Sequence, residues 1–280
     1  MRVTSPNIVD YSSLHVDLSW GKWNASLDLK TEEGRGSLRE LILDADVVVQ
    51  GYRPGVLDKY GFGQQGIIDL IANSGRERGI ISARENCYGW NGPWSYRSGW
   101  QQISDACTGV SWAFGRAMGL ENGEPVTPVF PNSDYMTGIA GTVAILTALL
   151  RRAEKGGSYK VDLALNYYNQ WLVESVGEYP SQVWDDLWSR NERKVFRCYH
   201  NMPQTVPAYM EMLQQNSPHI FDPKFFEVRP SDAIDAVIRT VRPVNQFDKD
   251  EVELRYNVGT RGNGKDQPRW PDNLPAEVVS

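Results

Sequence analysis

Asp134 is the residue whose type and position best fit chemistry in this sequence. It follows the Pro131–Ser133 turn at the start of a segment with helical periodicity. The first turn of a helix presents free backbone N–H groups and the positive end of the helix dipole, and both stabilise an anion. A carboxylate held there can attack a thioester carbonyl. Aspartate at such a position is more often only a helix cap, so position alone favours the cap.

Cysteine and histidine give weaker signals for chemistry. The three cysteines lack CxxC spacing and predict neither a disulfide framework nor a zinc site, so buried or idle thiols explain them best: Cys87, Cys107 and Cys198. With three histidines and neither an HExxH nor a GxSxG motif, histidine-based catalysis has little support. Nucleophilic or acid–base chemistry is therefore predicted for carboxylates, and no metal is predicted.

The segment Gln50–Gly63, QGYRPGVLDKYGFG, is a second candidate for ligand binding. It follows a predicted strand, and loops at the carboxyl ends of parallel strands are common ligand sites. Arg53 and Lys59 would bring positive charge to phosphates, and Tyr52 would stack on a purine. A glycine–proline turn followed by a capped helix explains the same residues without a ligand, so both interpretations stay open.

Hydrophobic periodicity around these residues predicts alternating strands and helices. Ser26–Leu29 alternates like a strand, apolar residues recur at helical spacing over Leu38–Ile42, and Asp46–Gln50 is a β-branched run. A helix over Gly66–Asn73 and a strand over Gly79–Ala83 repeat the pattern. Consecutive strand–helix–strand units predict an α/β fold with a parallel sheet and flanking helices.

The clearest predicted helix begins beside Asp134 and ends at the pair of glycines that follows Lys155. Before it lie a predicted small-residue helix over about Trp100–Ala113 and a long loop from Gly115 to Pro131. Apolar residues mark one face of the long helix: Ile139, Val143, Leu146 and Leu150.

The last third of the chain has weaker patterns. A strand and a helix are predicted in YKVDLALNYYNQWLVESVG, and beyond about Pro180 short helices alternate with polar loops. The polar segment Asn245–Ser280 predicts an extended C-terminal arm. We therefore expect a catalytic α/β domain over residues 1–178 and a reduced second domain with the arm over residues 179–280.

Composition excludes several classes of partner. The net charge of −6 gives no general basic surface for nucleic acid or an anionic membrane. The N-terminal segment has no apolar signal region, and no stretch reaches the roughly 18 apolar residues of a membrane span. We expect a soluble, cytoplasmic protein that binds neither nucleic acid nor membranes.

Several ordered motifs point to one family. They are LDLKTEEGRGSLRELILDADVVVQGYRPGVLDKYGFG, the CYGWNGP loop, the SDYMTG helix start and ALLRRAEKGGSYKVDLAL, which together span about Val16–Tyr168. In this order they resemble the class III CoA-transferases, the family that includes formyl-CoA transferase, carnitine CoA-transferase and alpha-methylacyl-CoA racemase.

The resemblance implies a fold and a reaction. It implies a Rossmann-like large domain, a smaller second domain and a homodimer of interlocked, ring-like subunits. Asp134, followed by Thr137-Gly138, matches the aspartate that forms acyl-anhydride and aspartyl-CoA thioester intermediates in such CoA-transferases. The implied substrates are an acyl-CoA and a carboxylic acid, with coenzyme A as the acyl carrier and no metal or redox cofactor.

The resemblance also implies where coenzyme A is held. The implied contacts lie in the LDLK segment, in the loop after the Asp46–Gln50 strand with its following helix, and in the CYGWNGP loop. These residues are Leu27, Asp28, Leu29, Lys30, Gly51, Tyr52, Arg53, Lys59, Asn86, Cys87, Tyr88 and Gly89.

Two departures from the family pattern bear on activity. The racemase branch needs a histidine just before the small-residue helix, and Trp100 stands there instead. A tryptophan cannot abstract an α-proton, so racemase-like isomerisation is the weaker alternative. The resemblance also leads us to expect that the chain begins after the position of the family's first strand–helix–strand unit. A CoA-binding remnant without turnover is therefore a further alternative to CoA transfer through Asp134.

Overall fold

The structure is a computed structural model that describes residues 1–9, 12–245, 247–248, 252, 256 and 258–272. Its strands in chain order are β1 Arg2–Thr4, β2 Asn24–Ser26, β3 Val47–Gln50, β4 Ile81–Asn86, β5 Tyr159–Ala164, β6 Phe226–Ser231 and β7 Ala236–Val241. Its α-helices are α1 Ser12–Leu18, α2 Glu32–Asp44, α3 Gln64–Asn73, α4 Gln101–Cys107, α5 Val110–Ala117, α6 Asn132–Lys155, α7 Leu165–Trp171, α8 Ser181–Arg190 and α9 Met202–Asn216. A π-helical turn extends α7 over Leu172–Val176, and short 3₁₀ segments lie at Asp58–Tyr60, Pro218–Phe221 and Pro223–Phe225.

Contacts divide the chain into two compact units. The central unit is Ala45–Pro218, and the end unit combines Met1–Asp44 with His219–Ser280. This division differs from the one predicted after residue 178. The reason is a hydrophobic cluster in the central unit, where Met118, Val126 and Phe196 are buried and residues of α8 and α9 pack against them. Residues 181–216 therefore pack with the helices that precede them.

The central unit is built on a parallel sheet of three strands in the order β3, β4, β5. Val47 pairs with Ile81, and Ile81 pairs with Tyr159 at the same level of the sheet. Helix α3 forms the crossover from β3 to β4, close to its predicted bounds. The predicted α/β fold with a parallel sheet and flanking helices is confirmed.

Helix α6 packs on this sheet through small and branched residues. A buried cluster forms from strand and helix residues, with Ala144, Ile145 and Leu149 of α6 packed against it: Ile81, Ala83, Ala148 and Val161. Gly141 permits close approach to β5, because a Cβ at this position would lie 2.5 Å from Leu163 Cδ1. The length of α6 and its packing fix the direction of the first turn that carries Asp134.

The apolar face predicted for α6 lies on its exposed side. Ile139, Val143, Leu146 and Leu150 are between 54% and 66% exposed. Within the described part of the chain, α6 is the one helix whose length and composition would allow a membrane span, a test that the core helices of globular proteins also pass.

The predicted helix Trp100–Ala113 is two helices. Helix α4 ends at Cys107 and α5 starts at Val110, with Gly109 between them at φ +87°. A left-handed backbone conformation is readily adopted by glycine and interrupts a right-handed helix. The break leaves α4 as a short helix with a separate orientation, and α4 contributes the buried side chains behind Asp134.

The end unit begins with a β–α–β unit that was not predicted. Strand β1 pairs in parallel with β2, and α1 lies between them in the chain. The predicted strand Ser26–Leu29 is misplaced, because β2 ends at Ser26 and the residues after it turn into α2. The predicted partnership of this strand with Asp46–Gln50 is also wrong, since β2 pairs with β1 and β3 pairs with β4.

An antiparallel hairpin, β6 with β7, was also missed in the last third of the chain, where only short helices and loops were predicted. Pro230 within β6 weakens the strand pattern in the sequence. The two ends of the chain are joined in this unit, because Gly21 N–H donates to the Val258 carbonyl at 2.8 Å and Asn24 N–H donates to Asp266 Oδ2 at 2.7 Å. The predicted arm falls partly outside the described residues, notably at 249–251, 253–255 and 273–280.

Candidate active site

Asp134 lies in the first turn of α6, as predicted. The helix begins at Asn132 after Pro131, and no side chain caps its N-terminus. The Asp134 side chain is exposed, and its carboxylate makes no hydrogen bond with any of the described residues. A capping aspartate would accept from a backbone N–H of its own helix. The cap explanation is therefore not supported by this geometry, and the carboxylate is available to another molecule.

A buried polar network lies directly behind this turn. Its centre is Asp105 of α4, which is 3% exposed. Asn169 Nδ2 donates to Asp105 Oδ1 at 2.9 Å, and Ser133 Oγ donates to the same oxygen at 3.3 Å. Gln101 Nε2 donates to Asp105 Oδ2. Burial raises the pKa of Asp105, and these three hydrogen bonds oppose the rise because they stabilise the ionised form.

Further hydrogen bonds tie the first turn of α6 to α7. Asn132 Nδ2 donates to the Tyr168 hydroxyl at 3.1 Å. Asn169 Nδ2 also donates to Ser104 Oγ at 3.0 Å, and Ser104 Oγ donates to Asn166 Oδ1 at 2.8 Å. The turn that carries Asp134 is therefore held from two sides, by α4 through Ser133 and by α7 through Asn132.

Electrostatics at this turn differ from the expectation of a stabilised anion. Partial loss of solvent around the carboxylate raises the pKa of Asp134 above its ordinary value, and the negative charge of Asp105 raises it further. Burial likewise raises the pKa of Glu85, at the carboxyl end of β4, and the charge of Asp134 adds to that effect. Asp134 is therefore a more basic carboxylate than an ordinary aspartate.

A cavity of about 250 Å³ lies beside the segment Gln50–Gly63, the predicted ligand loop. Gln50 is buried and donates through Nε2 to the Phe62 carbonyl at 2.7 Å, which closes the loop after β3. The cavity wall includes Tyr52 and Arg53 of this loop. Its remaining lining residues are Gln50, Pro54, Gly55, Leu57, Asp58, Gln64, Arg84, Trp90, Ser95 and Tyr96.

Arg84 and Trp90 are cavity residues that were not predicted. Arg84 binds Asp162 with two hydrogen bonds, from Nε to Oδ1 at 2.7 Å and from its guanidinium to Oδ2 at 3.0 Å. Its guanidinium carbon lies 3.7 Å from the centroid of a Trp90 ring. The sequence feature that could have identified Arg84 is a positively charged residue towards the carboxyl end of a buried strand. The pair gives the cavity a flat aromatic and cationic wall.

The turn Asn86–Gly89 is built by its own side chains. Asn86 Nδ2 donates to the Gly89 carbonyl and Asn86 Oδ1 accepts from the Gly89 N–H, both at 2.8 Å. Cys87 is 3% exposed, and burial is the main cause that raises its pKa to about 12. Among the predicted CoA contacts in this turn, Tyr88 is the side chain left partly exposed, so Asn86 and Cys87 shape the backbone instead.

The predicted contacts Leu27, Asp28, Leu29 and Lys30 lie in the end unit, in the turn that enters α2. Leu27 is buried, and its N–H donates to the Thr4 carbonyl at 2.8 Å. Asp28 Oδ1 accepts from the Lys30 N–H at 3.0 Å and closes the turn, which leaves the Lys30 side chain exposed. The segment is therefore a loop with an exposed lysine rather than part of a strand.

The remaining predicted residues are divided among different places. Gly51 and Lys59 are exposed on the ligand loop without lining the cavity, and Lys59 Nζ lies 4.9 Å from the Tyr60 ring centroid. Trp100 precedes α4 and is 70% exposed, with no ionisable group to move a proton. No group of three or more His, Cys, Asp or Glu suited to a metal ion occurs among the described residues.

Sequence comparison relates the chain to known proteins. Residues 1–195 match CoA-transferase family III. The chain is 56% identical over 280 residues to the acetyl-coenzyme A transferase nodX of Hypoxylon pulicicidum, a match that covers 100% of this chain and 46% of that protein. It is 32% identical over 262 residues to an acyl-CoA transferase of Gibberella moniliformis, a match that covers 92% of this chain and 45% of that protein. The chain thus spans less than half the length of these two relatives.

Solved structures share the fold. A CAIB/BAIF family protein from Brucella suis matches with a TM-score of 0.65 at 17% identity, over 94% of this chain and 88% of that one. The protein Rv3272 from Mycobacterium tuberculosis matches with a TM-score of 0.66 at 18% identity, with the same coverage of both chains. Because the family match extends over more than half of the sequence, the chain belongs to CoA-transferase family III.

Proposed function

We propose that the chain takes part in moving coenzyme A from an acyl-CoA donor to a carboxylic acid, with Asp134 as the covalent carrier. The observation that carries the proposal is the Asp134 carboxylate, exposed at the first turn of α6, basic for an aspartate and unused by any hydrogen bond within the described structure. Membership of CoA-transferase family III implies an acyl-CoA substrate, whose thioester carbonyl is the proposed target of this carboxylate.

The proposed reaction needs no oxidant, reductant or metal. An Asp134 oxygen attacks the thioester carbonyl, the carbon–sulfur bond breaks, and coenzyme A leaves as a thiolate while a mixed anhydride forms. The thiolate then attacks the Asp134 acyl carbon and releases the donor acid as a carboxylate. The acceptor carboxylate attacks the resulting aspartyl thioester, and the released thiolate attacks the acceptor acyl carbon. Asp134 is regenerated as a carboxylate, so bonds, electrons and protons balance.

The cavity beside the ligand loop is proposed to bind the nucleotide end of coenzyme A. Arg53 supplies a guanidinium for phosphate, and the Arg84–Trp90 wall offers a flat surface for the adenine. The family resemblance adds Lys59, which is exposed on the same loop, as a further cation for the phosphates. Acetyl-CoA is the proposed donor, because the relative from Hypoxylon pulicicidum is named an acetyl-coenzyme A transferase.

Trapping the acyl-enzyme tests the proposed function. The protein is incubated with acetyl-CoA and hydroxylamine, digested and analysed by mass spectrometry. We expect a hydroxamate on Asp134 in the wild type and none in Asp134→Asn. A wild type that binds coenzyme A but remains unmodified would instead indicate a CoA-binding protein without turnover. Exchange of an α-proton of a 2-methylacyl-CoA in deuterated water that survives Asp134→Asn would indicate an isomerase.

The proposed assembly is a homodimer, as the family resemblance implies. Sedimentation velocity over a range of protein concentrations checks it. A species of twice the chain mass is the expected result, and a strictly monomeric species would contradict the interlocked arrangement.

A further inference from the structure

Asp105 is a buried carboxylate that the proposed reaction does not use directly. It is 3% exposed, lies on α4 rather than on α6, and has no positively charged partner among the described residues. A buried carboxylate without a cation costs free energy unless hydrogen bonds compensate for the lost water. Here three neutral donors supply that compensation: the side chains of Gln101, Ser133 and Asn169.

The donors connect Asp105 to the residue next to Asp134. Ser133 is 1% exposed and immediately precedes Asp134 in the first turn of α6, and its hydroxyl donates to Asp105 Oδ1. Asn169 of α7 donates to the same oxygen and is also 1% exposed. One carboxylate thus joins three helices at the turn that presents Asp134.

We propose that Asp105 is a positioning residue for Asp134: its buried carboxylate fixes the first turn of α6 through Ser133, and its negative charge keeps the Asp134 carboxylate reactive. The inference rests on the proposed function of Asp134. Asp105 touches neither substrate nor reacting atoms, and acts through the geometry and the field at the neighbouring turn.

The charged and titratable groups around the Asp134 turn decide how strongly the loss of one charge is felt there. Arg84 and Asp162 point to the opposite face, where Gln64 Nε2 of α3 donates to Asp162 Oδ1 at 3.2 Å. The titratable groups coupled to the Asp134 turn among the described residues are Asp105 on α4, Glu85 and Cys87 at the end of β4, and Tyr168 on α7, whose hydroxyl accepts from Asn132 Nδ2. None of these is a cation, so the loss of one negative charge should be felt at Asp134.

The sign of the pH effect follows from this arrangement. Asp134 must be ionised to attack, so the rate falls as the pH drops through its pKa. The Asp105 charge raises that pKa, and replacing Asp105 with neutral asparagine lowers it. The acidic limb of the rate profile should therefore move to lower pH in Asp105→Asn, while attack at the optimum slows because the carboxylate is less basic and less well held.

The test measures hydroxamate formation at residue 134 from acetyl-CoA against pH, in the full chain. In Asp105→Asn we expect the acidic limb to move to lower pH and the maximal rate to fall about tenfold, with little change in KM for acetyl-CoA. In Ser133→Ala, which keeps the charge, we expect a few-fold loss of maximal rate and an unmoved acidic limb.

The outcomes separate this inference from the proposed function. A wild type that forms no adduct contradicts the proposed function itself. If the wild type forms the adduct, the acidic limbs of the two rate profiles are compared. A limb of Asp105→Asn that coincides with the wild-type limb, or that lies at higher pH, overturns the role of Asp105. If Asp105→Asn does not fold, carbon-13 NMR of the aspartate carboxyls in the wild type measures the ionisation state of Asp105 instead. The Asp105 signal is assigned from its perturbation in Ser133→Ala. An ionised Asp105 at the pH of activity supports the inference, and a protonated one overturns it.

Discussion

The first turn of α6 and the cavity beside the ligand loop present their functional groups in opposite ways. Asp134 stands on a network of buried hydrogen bonds from three helices, whereas Arg53 lies on an exposed loop that is closed by the Gln50–Phe62 hydrogen bond. A nucleophile must be held in one geometry, while a phosphate contact tolerates movement. Substitutions at the turn should therefore lower kcat, whereas substitutions at the cavity should weaken the binding of coenzyme A.

Asp134→Asn gives the largest expected effect and tests the first half of this comparison. Removing the nucleophile should lower kcat by about a thousandfold or more, with the affinity for coenzyme A nearly unchanged. Steady-state kinetics and calorimetry measure the two quantities. The matched control is Asp186→Asn, an exposed aspartate on α8, which should behave like the wild type. Equal losses in both variants would contradict the assignment.

Gly89→Ala tests the turn at the end of β4. In the sequence this turn lies between the ligand loop and the first turn of α6. A Cβ at Gly89 would lie 2.6 Å from the Tyr167 ring, in a backbone conformation with φ +94°. We expect a loss of about 2–3 kcal/mol in the free energy of unfolding, from strain and overpacking together. Urea denaturation followed by circular dichroism measures it.

Gly92→Ala is the matched control for that variant. Gly92 has a similar φ of +88°, but no atom lies within 4 Å of the place that its Cβ would take, so the substitution brings the backbone strain without the steric clash. We expect a loss of about 1 kcal/mol there. Equal destabilisation by the two substitutions would show that contact with Tyr167 does not constrain this turn.

Arg53→Ala tests the second half of the comparison. Loss of one charge-assisted hydrogen bond to phosphate should weaken coenzyme A binding about tenfold, with kcat at saturation nearly unchanged. Titration calorimetry with coenzyme A measures the change, and Lys194→Ala, an exposed cation outside the cavity lining, is the control. A fall in kcat at unchanged affinity would assign Arg53 to the chemistry instead.

Gly138→Ala and Gly141→Ala compare two positions on α6 and give the smallest expected effect. A Cβ at Gly138 meets nothing within 4 Å, whereas one at Gly141 lies 2.5 Å from Leu163 Cδ1. Alanine favours a helix by roughly 1 kcal/mol over glycine, so Gly138→Ala should raise stability slightly. In Gly141→Ala the displacement of Leu163 should cancel that gain. Thermal unfolding midpoints check the order, and a more stable Gly141→Ala would contradict close packing of α6 on β5.

Local patterns predicted the central unit well because its elements are regular. The β-branched run before Gln50 became β3, the helix Gly66–Asn73 became α3, and the long helix began where Asp134 was expected. A parallel sheet covered by helices needs just such continuous strands and periodic helices. Asp134 was therefore placed correctly in its helix from sequence, and the family resemblance supplied its proposed role.

The features that sequence could not predict depend on contacts between distant segments. Asp105 looks like an ordinary polar residue on a short helix, and only the folded chain brings Ser133 and Asn169 to its oxygens. Arg84 likewise acquires its setting from Trp90 and Asp162. In the end unit, β1 pairs with β2 over three residues each, which is too short to give a periodic pattern.

Borohydride reduction during turnover tests the covalent role of Asp134 most directly. The protein is mixed with acetyl-CoA, the aspartyl thioester is reduced to an alcohol, and the peptide that carries residue 134 is sequenced by mass spectrometry. We predict homoserine in place of aspartate at position 134, with Glu85 and Asp105 unchanged. An intact aspartate at position 134 during demonstrated CoA transfer, or reduction at Glu85 instead, would contradict Asp134 as the carrier.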